Sequence, residues 1–263
     1  MADDGYVMAD TDATRESQRL GLLEANRDPG TIVRLERLGV APGWRCLEVG
    51  AGRGSIARWL ADRVGPAGSV LAADIDPRFL TGMPANVHVR RFDVREDEPE
   101  ADAYDLVHCR ALLMHLHDPA PALARLARSL RPGGVLLAEE GDFGMYHYGN
   151  HPHGEELTET AHDAFKVMTR AGIMNAYFGR RLPALLAGCG LELEGAEVDT
   201  AIASPGDPAY EFTQASALDA LPRLIAAGIM PEASGRRLEG YFGRPRTVIT
   251  CASLVAAWGR APR

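Results

Sequence analysis

The sequence predicts an α/β fold in which parallel strands alternate with helices. Between Trp44 and Val135, short apolar runs rich in Val, Leu and Ile alternate with amphipathic stretches of helical spacing. The chain has 263 residues, of which 46% are hydrophobic and 24% are charged. This composition is globular, and the length suffices for a large core. Such an alternation pairs strands in parallel through right-handed crossovers, with helices on both faces of the sheet.

Five strands and their helices can be placed in chain order. The first predicted strand is RCLEVG, and the helix GSIARWLADRV follows it. The later strands are SVLAADI, VHVRRFDV, YDLVHCR and GVLLAEE, with a short helix opened by Pro77 between the second and third. The most clearly marked helix begins after Asp118, whose carboxylate can accept hydrogen bonds from the first free amides, and RPGG ends it.

The segments on either side of this region predict further helices. Before Ala41, LGLLEANRD and TIVRLERLGV carry apolar residues every three or four positions. After Gly141, the predicted loop DFGMYHYGNHPHG leads to helices and to two late strand-like stretches, LELEGAEVDTAIA and TVITCASLVAAWGR. We therefore expect a helical lid segment over 1–40, a ligand-binding core over 41–145 and, over 146–263, the rest of the sheet with inserted substrate-binding helices.

Charge and cysteine spacing exclude several classes of function. Lys and Arg number 28 against 36 Asp and Glu, which gives a net charge of −8, so phosphate backbones and anionic lipids are repelled. The amino-terminal stretch is acidic and polar, and no run of 18 apolar residues occurs. We expect a cytoplasmic protein that binds neither nucleic acid nor membrane. The four cysteines form no CxxC pair, so we predict buried thiols and no zinc site.

A glycine-rich turn carries the main functional signal. The segment Glu48–Gly54 (EVGAGRG) lies where the first predicted strand meets the first helix. Glycines there let the main chain turn sharply and approach a ligand, and the free amides at the helix start favour a negatively charged group. Twenty residues after Gly54, the second strand ends in Asp74, an acid that can accept hydrogen bonds from both hydroxyls of a ribose. The two features together predict a nucleotide-like ligand.

Two cofactor classes compete at this turn. A dinucleotide site has a third small residue at the position that Ser55 occupies here, whereas the third glycine of this chain is Gly54. ExGxGxG followed by a strand ending in an acid resembles the class I S-adenosylmethionine-dependent methyltransferases. The resemblance spans residues 6–145 and extends to RRFDV, YDLVHCRALLMHLHDP and LRPGGVLL. It is closest to the small-molecule branch related to quinone-ring methyltransferases, through CRALLMHLHDP and EEGDF.

The resemblance implies a Rossmann-like, doubly wound, mostly parallel seven-stranded sheet with added helical lid elements. It also implies a site for S-adenosylmethionine. Gly50 and Gly52 would present backbone to the methionine portion, Asp74 would hold the ribose hydroxyls, and Asp93 would accept from the adenine amine. The other cofactor positions that the resemblance implies are Glu48, which orders the turn, Ile75 and Val94 at the adenine, the backbone of Arg110 at the methionine end, and Tyr6 in an amino-terminal segment that folds over the cofactor.

Catalysis needs few groups, because a sulfonium methyl is already activated and the protein mainly aligns the acceptor. His115 is the candidate general base, since its segment leaves the carboxyl edge of the sheet; alternatively, it only satisfies a backbone carbonyl. The loop after the fifth strand would border the acceptor through Asp142, Tyr146, His147 and His151. Its histidines also suggest a metal, but a loop containing glycine and proline does not hold ligands rigidly, and we predict none.

We therefore expect an enzyme that methylates a small, apolar or polycyclic acceptor of specialised metabolism by in-line transfer. Two alternatives stay open: a nicotinamide-dependent oxidoreductase, and a cyclase or binding module that kept the cofactor pocket without methyl transfer. The acceptor atom and the oligomeric state, including a homo-oligomer, also stay open. No NPPY-like motif follows the fourth strand, so a nucleobase acceptor is disfavoured.

Overall fold

A computed structural model describes residues 13–263 and contains the predicted parallel sheet. Its first five strands are β1 (Arg45–Val49), β2 (Ser69–Asp74), β3 (Val87–Arg91), β4 (Tyr104–Arg110) and β5 (Leu130–Asp142). The pairs β1–β2, β1–β4, β2–β3 and β4–β5 are all parallel. With β7 (Glu192–Asp199) and β10 (Ser253–Arg260), the strand order is β3-β2-β1-β4-β5-β10-β7. The prediction of a Rossmann-like, mostly parallel seven-stranded sheet is confirmed.

Seven α-helices accompany the strands in the described part of the chain: α1 (Ala13–Arg37), α2 (Ser55–Val64), α3 (Pro119–Arg128), α4 (Gly154–Arg170), α5 (Leu182–Gly188), α6 (Pro208–Ala226) and α7 (Glu232–Phe242). The prediction of the start of α3 is confirmed, because the Asp118 carboxylate accepts from the amide of Ala120 at 3.2 Å. None of the helices of residues 13–263 has both the length and the apolar character needed to span a membrane.

Two compact units make up the described residues. The sheet unit comprises 27–140, 178–198 and 255–263, and the helical unit comprises 13–26, 141–177 and 199–254. In the sheet unit, α2 buries Ile56, Leu60 and Val64 together with strand residues such as Cys46 and Val70. Removal of this apolar surface from water is the main term that stabilises the unit.

The helical unit has its own small sheet and an aromatic core. Its strands β6 (His147–Gly149), β8 (Ile202–Ala203) and β9 (Val248–Thr250) are antiparallel, in the order β6-β9-β8. The aromatic residues of the core are Tyr146, Tyr148, Tyr210, Tyr241 and Phe242. Edge-on ring pairs such as Tyr148–Tyr241, with centroids 4.9 Å apart, join the sheet to the helices.

The prediction of helical structure before Ala41 is confirmed, since the helix α1 contains the first apolar stretch and the second as far as Arg37, with Pro29 inside it. Three details of the sequence interpretation were wrong. The predicted loop after Gly141 contains β6. Each late strand-like stretch is two strands, β7 with β8 and β9 with β10. RPGG lies within β5. Periodicity cannot reveal strands of two or three residues, and a stretch of alternating residues does not show where it changes sheet.

Candidate cofactor site

The glycine turn after β1 has the conformation that its sequence predicts. Gly50, Gly52 and Gly54 have φ angles of 72°, 56° and 83°, in the left-handed region that favours glycine. The Gly50 amide donates to the Ala73 carbonyl at 2.8 Å, so the end of β2 holds the turn. A Cβ at Gly54 would lie 2.9 Å from the side chain of Leu80. The turn thus presents bare backbone and leads into the amino terminus of α2.

Asp74 joins the end of β2 to this turn. Its Oδ2 accepts from the Gly52 amide at 2.8 Å, and its Oδ1 accepts from the Asp76 amide at 2.9 Å. Burial raises the pKa of the Asp74 carboxyl, and these amide hydrogen bonds partly oppose that shift. Each carboxylate oxygen can accept more than one hydrogen bond, so further donors such as hydroxyls can bind. The neighbouring Ile75 side chain is 43% exposed, which is unusual for its residue type.

Asp93 is held by an arginine that sequence reasoning missed. Nη2 of Arg95 donates to Oδ2 of Asp93 at 2.7 Å, and Nε donates to Oδ1 at 2.9 Å. The Arg95 guanidinium lowers the pKa of the Asp93 carboxyl despite its partial burial. The Val94 side chain is buried, and its carbonyl accepts from Arg125 at 3.2 Å. Hydrogen bonds from Arg95 and Arg125 therefore fix the position of the predicted adenine-binding segment.

The segment after β4 is fixed by two neighbouring glutamates. Ala111 has a φ of 51°, and its amide donates to the Glu139 carbonyl at 2.8 Å. The carboxylate of Glu140 accepts from the amides of Leu112, Leu113 and Met114 at 3.0, 2.7 and 3.2 Å. Burial raises the pKa of Glu140 to about 7, although these amides favour its ionised form. A 3-10 turn over Leu113–His115 results, and the candidate base His115 lies half-buried at its end.

Glu48 takes part in a buried charge network with His108, Glu139 and Arg34. Nδ1 of His108 lies 2.7 Å from Oε2 of Glu48, and Nε2 lies 3.2 Å from Oε2 of Glu139. Nη1 of Arg34, on α1, donates to Oε1 of Glu139 at 2.8 Å. Burial disfavours charge on His108, but the two carboxylates outweigh it and raise the pKa of the imidazole to about 9. Burial alone would raise the pKa of Glu139, but the hydrogen bond and the charge of His108 outweigh it and lower that pKa to about 2.

Arg110 extends these contacts along α1. Its Nη1 donates to Oγ1 of Thr31 at 2.9 Å, and its Nη2 donates to Oδ1 of Asp28 at 2.8 Å. Oγ1 of Thr31 in turn donates to Oε2 of Glu139 at 2.5 Å. The side chain of Arg110 therefore points to α1, which leaves its backbone for the role that the sequence resemblance implies.

Comparison with known proteins shows to which family this chain belongs. A family model described as a methyltransferase domain matches residues 3–194. The chain belongs to this family. More narrowly, it is a member of the class I S-adenosylmethionine-dependent methyltransferases, a family whose methyl donor is the cofactor that the sequence predicts. The rival interpretation of the turn as a nicotinamide site is thereby set aside.

Relatives of this methyltransferase match it over its core. Methyltransferase Str2 of Strobilurus tenacellus is 37% identical over 100 residues, which are 38% of this chain and 36% of that protein. The ubiquinone/menaquinone biosynthesis C-methyltransferase UbiE of Ectopseudomonas mendocina is 32% identical over 115 residues, 40% of this chain and 45% of that protein. The chain thus spans less than half the length of these two relatives.

A solved structure shares the fold of this methyltransferase. Phosphoethanolamine N-methyltransferase 2 of Haemonchus contortus, in complex with phosphomonomethylethanolamine and S-adenosylhomocysteine, superposes with a TM-score of 0.60 at 17% identity. The match covers 98% of this chain and 60% of that one. At this identity the likeness establishes the fold and not the acceptor.

The predicted acceptor residues of this methyltransferase all lie in the helical unit. Asp142 accepts from the Gly144 amide at 2.9 Å, and the Tyr146 hydroxyl lies 3.1 Å from that of Tyr148 within the aromatic core. Nε2 of His147 lies 3.3 Å from a carboxylate oxygen of Glu155. The half-buried ring of His151 packs edge-on to Tyr241. Asp142 and Tyr146 are buried and the two histidines are half-buried, so the four differ in access to a ligand.

Two remaining expectations concern Tyr6 and metal binding. Tyr6 lies outside the described residues, so its role over the cofactor stays a prediction. Among residues 13–263, no three or more His, Cys, Asp or Glu side chains are grouped so that they could hold a metal ion. Cys46, Cys109 and Cys251 are buried thiols, whereas Cys189 is half-buried.

Proposed function

We propose that this protein transfers the methyl group of S-adenosylmethionine to a small, apolar or polycyclic acceptor of natural-product type, by direct in-line displacement at the sulfonium methyl. The observation that carries the proposal is the hydrogen bond between the Gly52 amide and the Asp74 carboxylate. It joins two parallel strand ends where ligands of open α/β sheets bind. The donor supplies an already activated methyl group, so positioning performs most of the catalysis.

The residues present fit this cofactor. Gly50 and Gly52 offer backbone without a side chain to the methionine portion, and Asp74 has acceptor capacity for the ribose hydroxyls. The exposed face of Ile75 is suited to pack against adenine, and Asp93 is suited to accept from its amine. We assign His115 as the group that takes up the acceptor proton, if the acceptor atom is an oxygen or nitrogen that loses one.

Two observations support the acceptor class. The relatives that match over the core carry names of quinone-biosynthesis and fungal methyltransferases, and the negative charge of the chain disfavours polyanionic acceptors. We retain Asp142, Tyr146, His147 and His151 as proposed acceptor contacts, because Asp142 ends the fifth parallel strand and the other three follow it. His147→Ala and His151→Ala, together with Tyr146→Phe and Asp142→Asn, which keep the buried ring and the carbonyl acceptor, should raise the KM for the acceptor without changing the affinity for S-adenosylhomocysteine.

Binding and transfer are tested in two steps. Calorimetry and thermal shift with S-adenosylhomocysteine should show binding and stabilisation, whereas NAD and NADP should give neither. The protein is then incubated with S-adenosylmethionine labelled in its methyl group and a panel of hydroquinones, catechols and polycyclic phenols. Label should appear in an organic-extractable product. Tight cofactor binding without label transfer to any of these compounds would favour the cyclase or binding-module alternative.

A further inference from the structure

His108 is a fully buried residue of β4, where an ionisable side chain is unusual. Its neighbours Leu106, Val107 and Cys109 are buried, and His108 itself is 0% exposed. In the parallel register it stands opposite Glu48 of β1. A polar ring at a buried position destabilises the fold unless its nitrogens form hydrogen bonds. The partners of the two ring nitrogens are therefore what allows a histidine at this position.

The two contacts of the ring define its protonation state. Nδ1 faces a carboxylate oxygen of Glu48 at 2.7 Å, and Nε2 faces one of Glu139 at 3.2 Å. An ionised carboxylate only accepts hydrogen bonds, and a neutral imidazole donates from a single nitrogen. Both nitrogens can donate at once only in the imidazolium. With both carboxylates ionised, the two contacts therefore place a positive charge on the ring between two negative ones.

The two carboxylates are attached to the backbone that is proposed to hold the methionine portion. Glu48 lies two residues before Gly50, on the strand that enters the glycine turn. The backbone carbonyl of Glu139 accepts from the amide of Ala111, which follows Arg110. A shift of either glutamate would therefore displace one of these two backbone segments, because Glu48 is joined to Gly50 through the chain and Glu139 holds the Ala111 amide.

The charges around the ring balance. On β1 and β5, Glu48 and Glu139 are negative; from α1, Arg34 is positive and donates to Glu139. Arg34 also donates to Glu197 of β7 at 3.3 Å, and Arg37 of α1 supplies the positive charge that balances Glu197. Arg110, farther along β4, adds a positive charge near Glu139 that Asp28 of α1 neutralises. Without the imidazolium, two carboxylates would share this water-excluded space with one arginine, which is unfavourable at low dielectric.

We propose that His108, as an imidazolium bound to Glu48 and Glu139, is a positioning residue that holds the ends of β1 and β4 in the arrangement that binds the methionine portion of the cofactor. The proposal rests on the proposed function, because it concerns the same cofactor site. His108 does not touch the cofactor; it acts through Glu48 and Glu139. A role in stability alone would leave cofactor affinity independent of its protonation.

The first test needs no variant. Long-range nitrogen–proton NMR of the wild-type protein follows the protonation of His108, while calorimetry gives the Kd of S-adenosylhomocysteine at the same series of pH values from 7 to 10. We expect the imidazole to lose its proton near pH 9, as its raised pKa indicates, and the Kd to rise at least tenfold over that interval. A Kd that stays constant through the deprotonation would overturn the proposal.

The second test uses His108→Gln with Cys109→Ala as its matched control. Cys109 is the next residue of β4, is equally buried and faces the other side of the sheet. At pH 7.5 we expect His108→Gln to raise the Kd at least tenfold and to remove the alkaline rise, while Cys109→Ala keeps both within threefold of wild type. Wild-type affinity and an unchanged alkaline rise in His108→Gln would overturn the positioning role. If the wild-type protein itself fails to bind S-adenosylhomocysteine, the proposed function falls and this inference falls with it.

Discussion

Oε1 of Glu140 accepts a hydrogen bond from the backbone amide of Leu113 at 2.7 Å, inside a fully buried environment. The same carboxylate binds the two adjacent amides, so a single side chain orders the 3-10 turn that ends in His115. Three N–H groups point at this side chain, and its two oxygens supply the acceptors that they need. This relationship predicts that the reaction depends on a residue that does not touch the acceptor.

Glu140→Gln replaces one of the two oxygens by an NH₂ group that must face a backbone donor. We expect kcat to fall about tenfold, equivalent to about 1.4 kcal/mol of barrier, because the turn that carries His115 loosens. The Kd of S-adenosylhomocysteine should stay within threefold of wild type. The measurement is steady-state kinetics with the labelled methyl donor, and the exposed Glu159→Gln on α4 is the control. An unchanged kcat would show that the turn holds without the carboxylate.

The same residue gives stability a definite pH dependence. Its pKa is raised from 4.5 to about 7, so the folded state binds a proton more tightly than the unfolded state does. Stability from this group is therefore highest below pH 4.5 and falls as pH rises to 7, by about 3 kcal/mol. Urea unfolding between pH 4.5 and 8 should show wild type losing this amount relative to Glu140→Gln. Parallel curves for the two proteins would contradict the raised pKa.

Local motifs made the parallel core and the glycine turn predictable. Buried parallel strands appear as short apolar runs, and the turn with its acid at Asp74 lies within a short stretch of chain. The small sheet of the helical unit could not be predicted in this way. Its strands β6, β8 and β9 have three, two and three residues, too few for alternation to be visible.

The buried charge network also escaped prediction, for a different reason. His108 meets Glu48 across 60 residues of sequence, and Arg34 meets Glu139 across 105, so no local spacing links them. A signal did exist in the residue types. His108 lies within the apolar strand YDLVHCR, and Glu139 and Glu140 end the apolar run GVLLA. Charged groups at positions that must be buried require partners, and those partners can be sought on neighbouring strands.

Asp74→Ala should weaken S-adenosylhomocysteine binding by about 1–3 kcal/mol, the usual effect of leaving buried polar partners unpaired. The substitution removes the acceptor for the ribose hydroxyls and also the hydrogen bond to the Gly52 amide. Calorimetry at pH 7.5 measures the change, and Asp62→Ala, at an exposed position of α2, is the control. Circular dichroism should show an unchanged fold. If affinity did not change, Asp74 would not belong to the cofactor site.

Two glycine substitutions should change stability in opposite directions. Gly54 has a φ of 83°, and an added Cβ would lie 2.9 Å from both Leu80 and Met83. Gly54→Ala should therefore destabilise the protein by about 1–3 kcal/mol. Gly240 lies inside α7 with open space around it, so Gly240→Ala should stabilise by about 0.5–1 kcal/mol. Urea unfolding of both variants measures the difference, and equal effects would show that the turn tolerates a side chain.

Arg95→Ala tests whether Asp93 recognises the adenine amine. The guanidinium orients the carboxylate through two hydrogen bonds and keeps its pKa low. The ion pair of Arg95 is partly exposed to solvent, so loss of the guanidinium should weaken S-adenosylhomocysteine binding only about threefold. The purine-riboside analogue of S-adenosylhomocysteine, in which a hydrogen replaces the 6-amine, should bind both proteins equally, since its base offers Asp93 no N–H donor to misplace. Calorimetry with the two ligands, and with the exposed Arg236→Ala as control, separates the cases. An equal loss for both ligands would assign Arg95 to the order of the whole segment and remove the amine contact from Asp93.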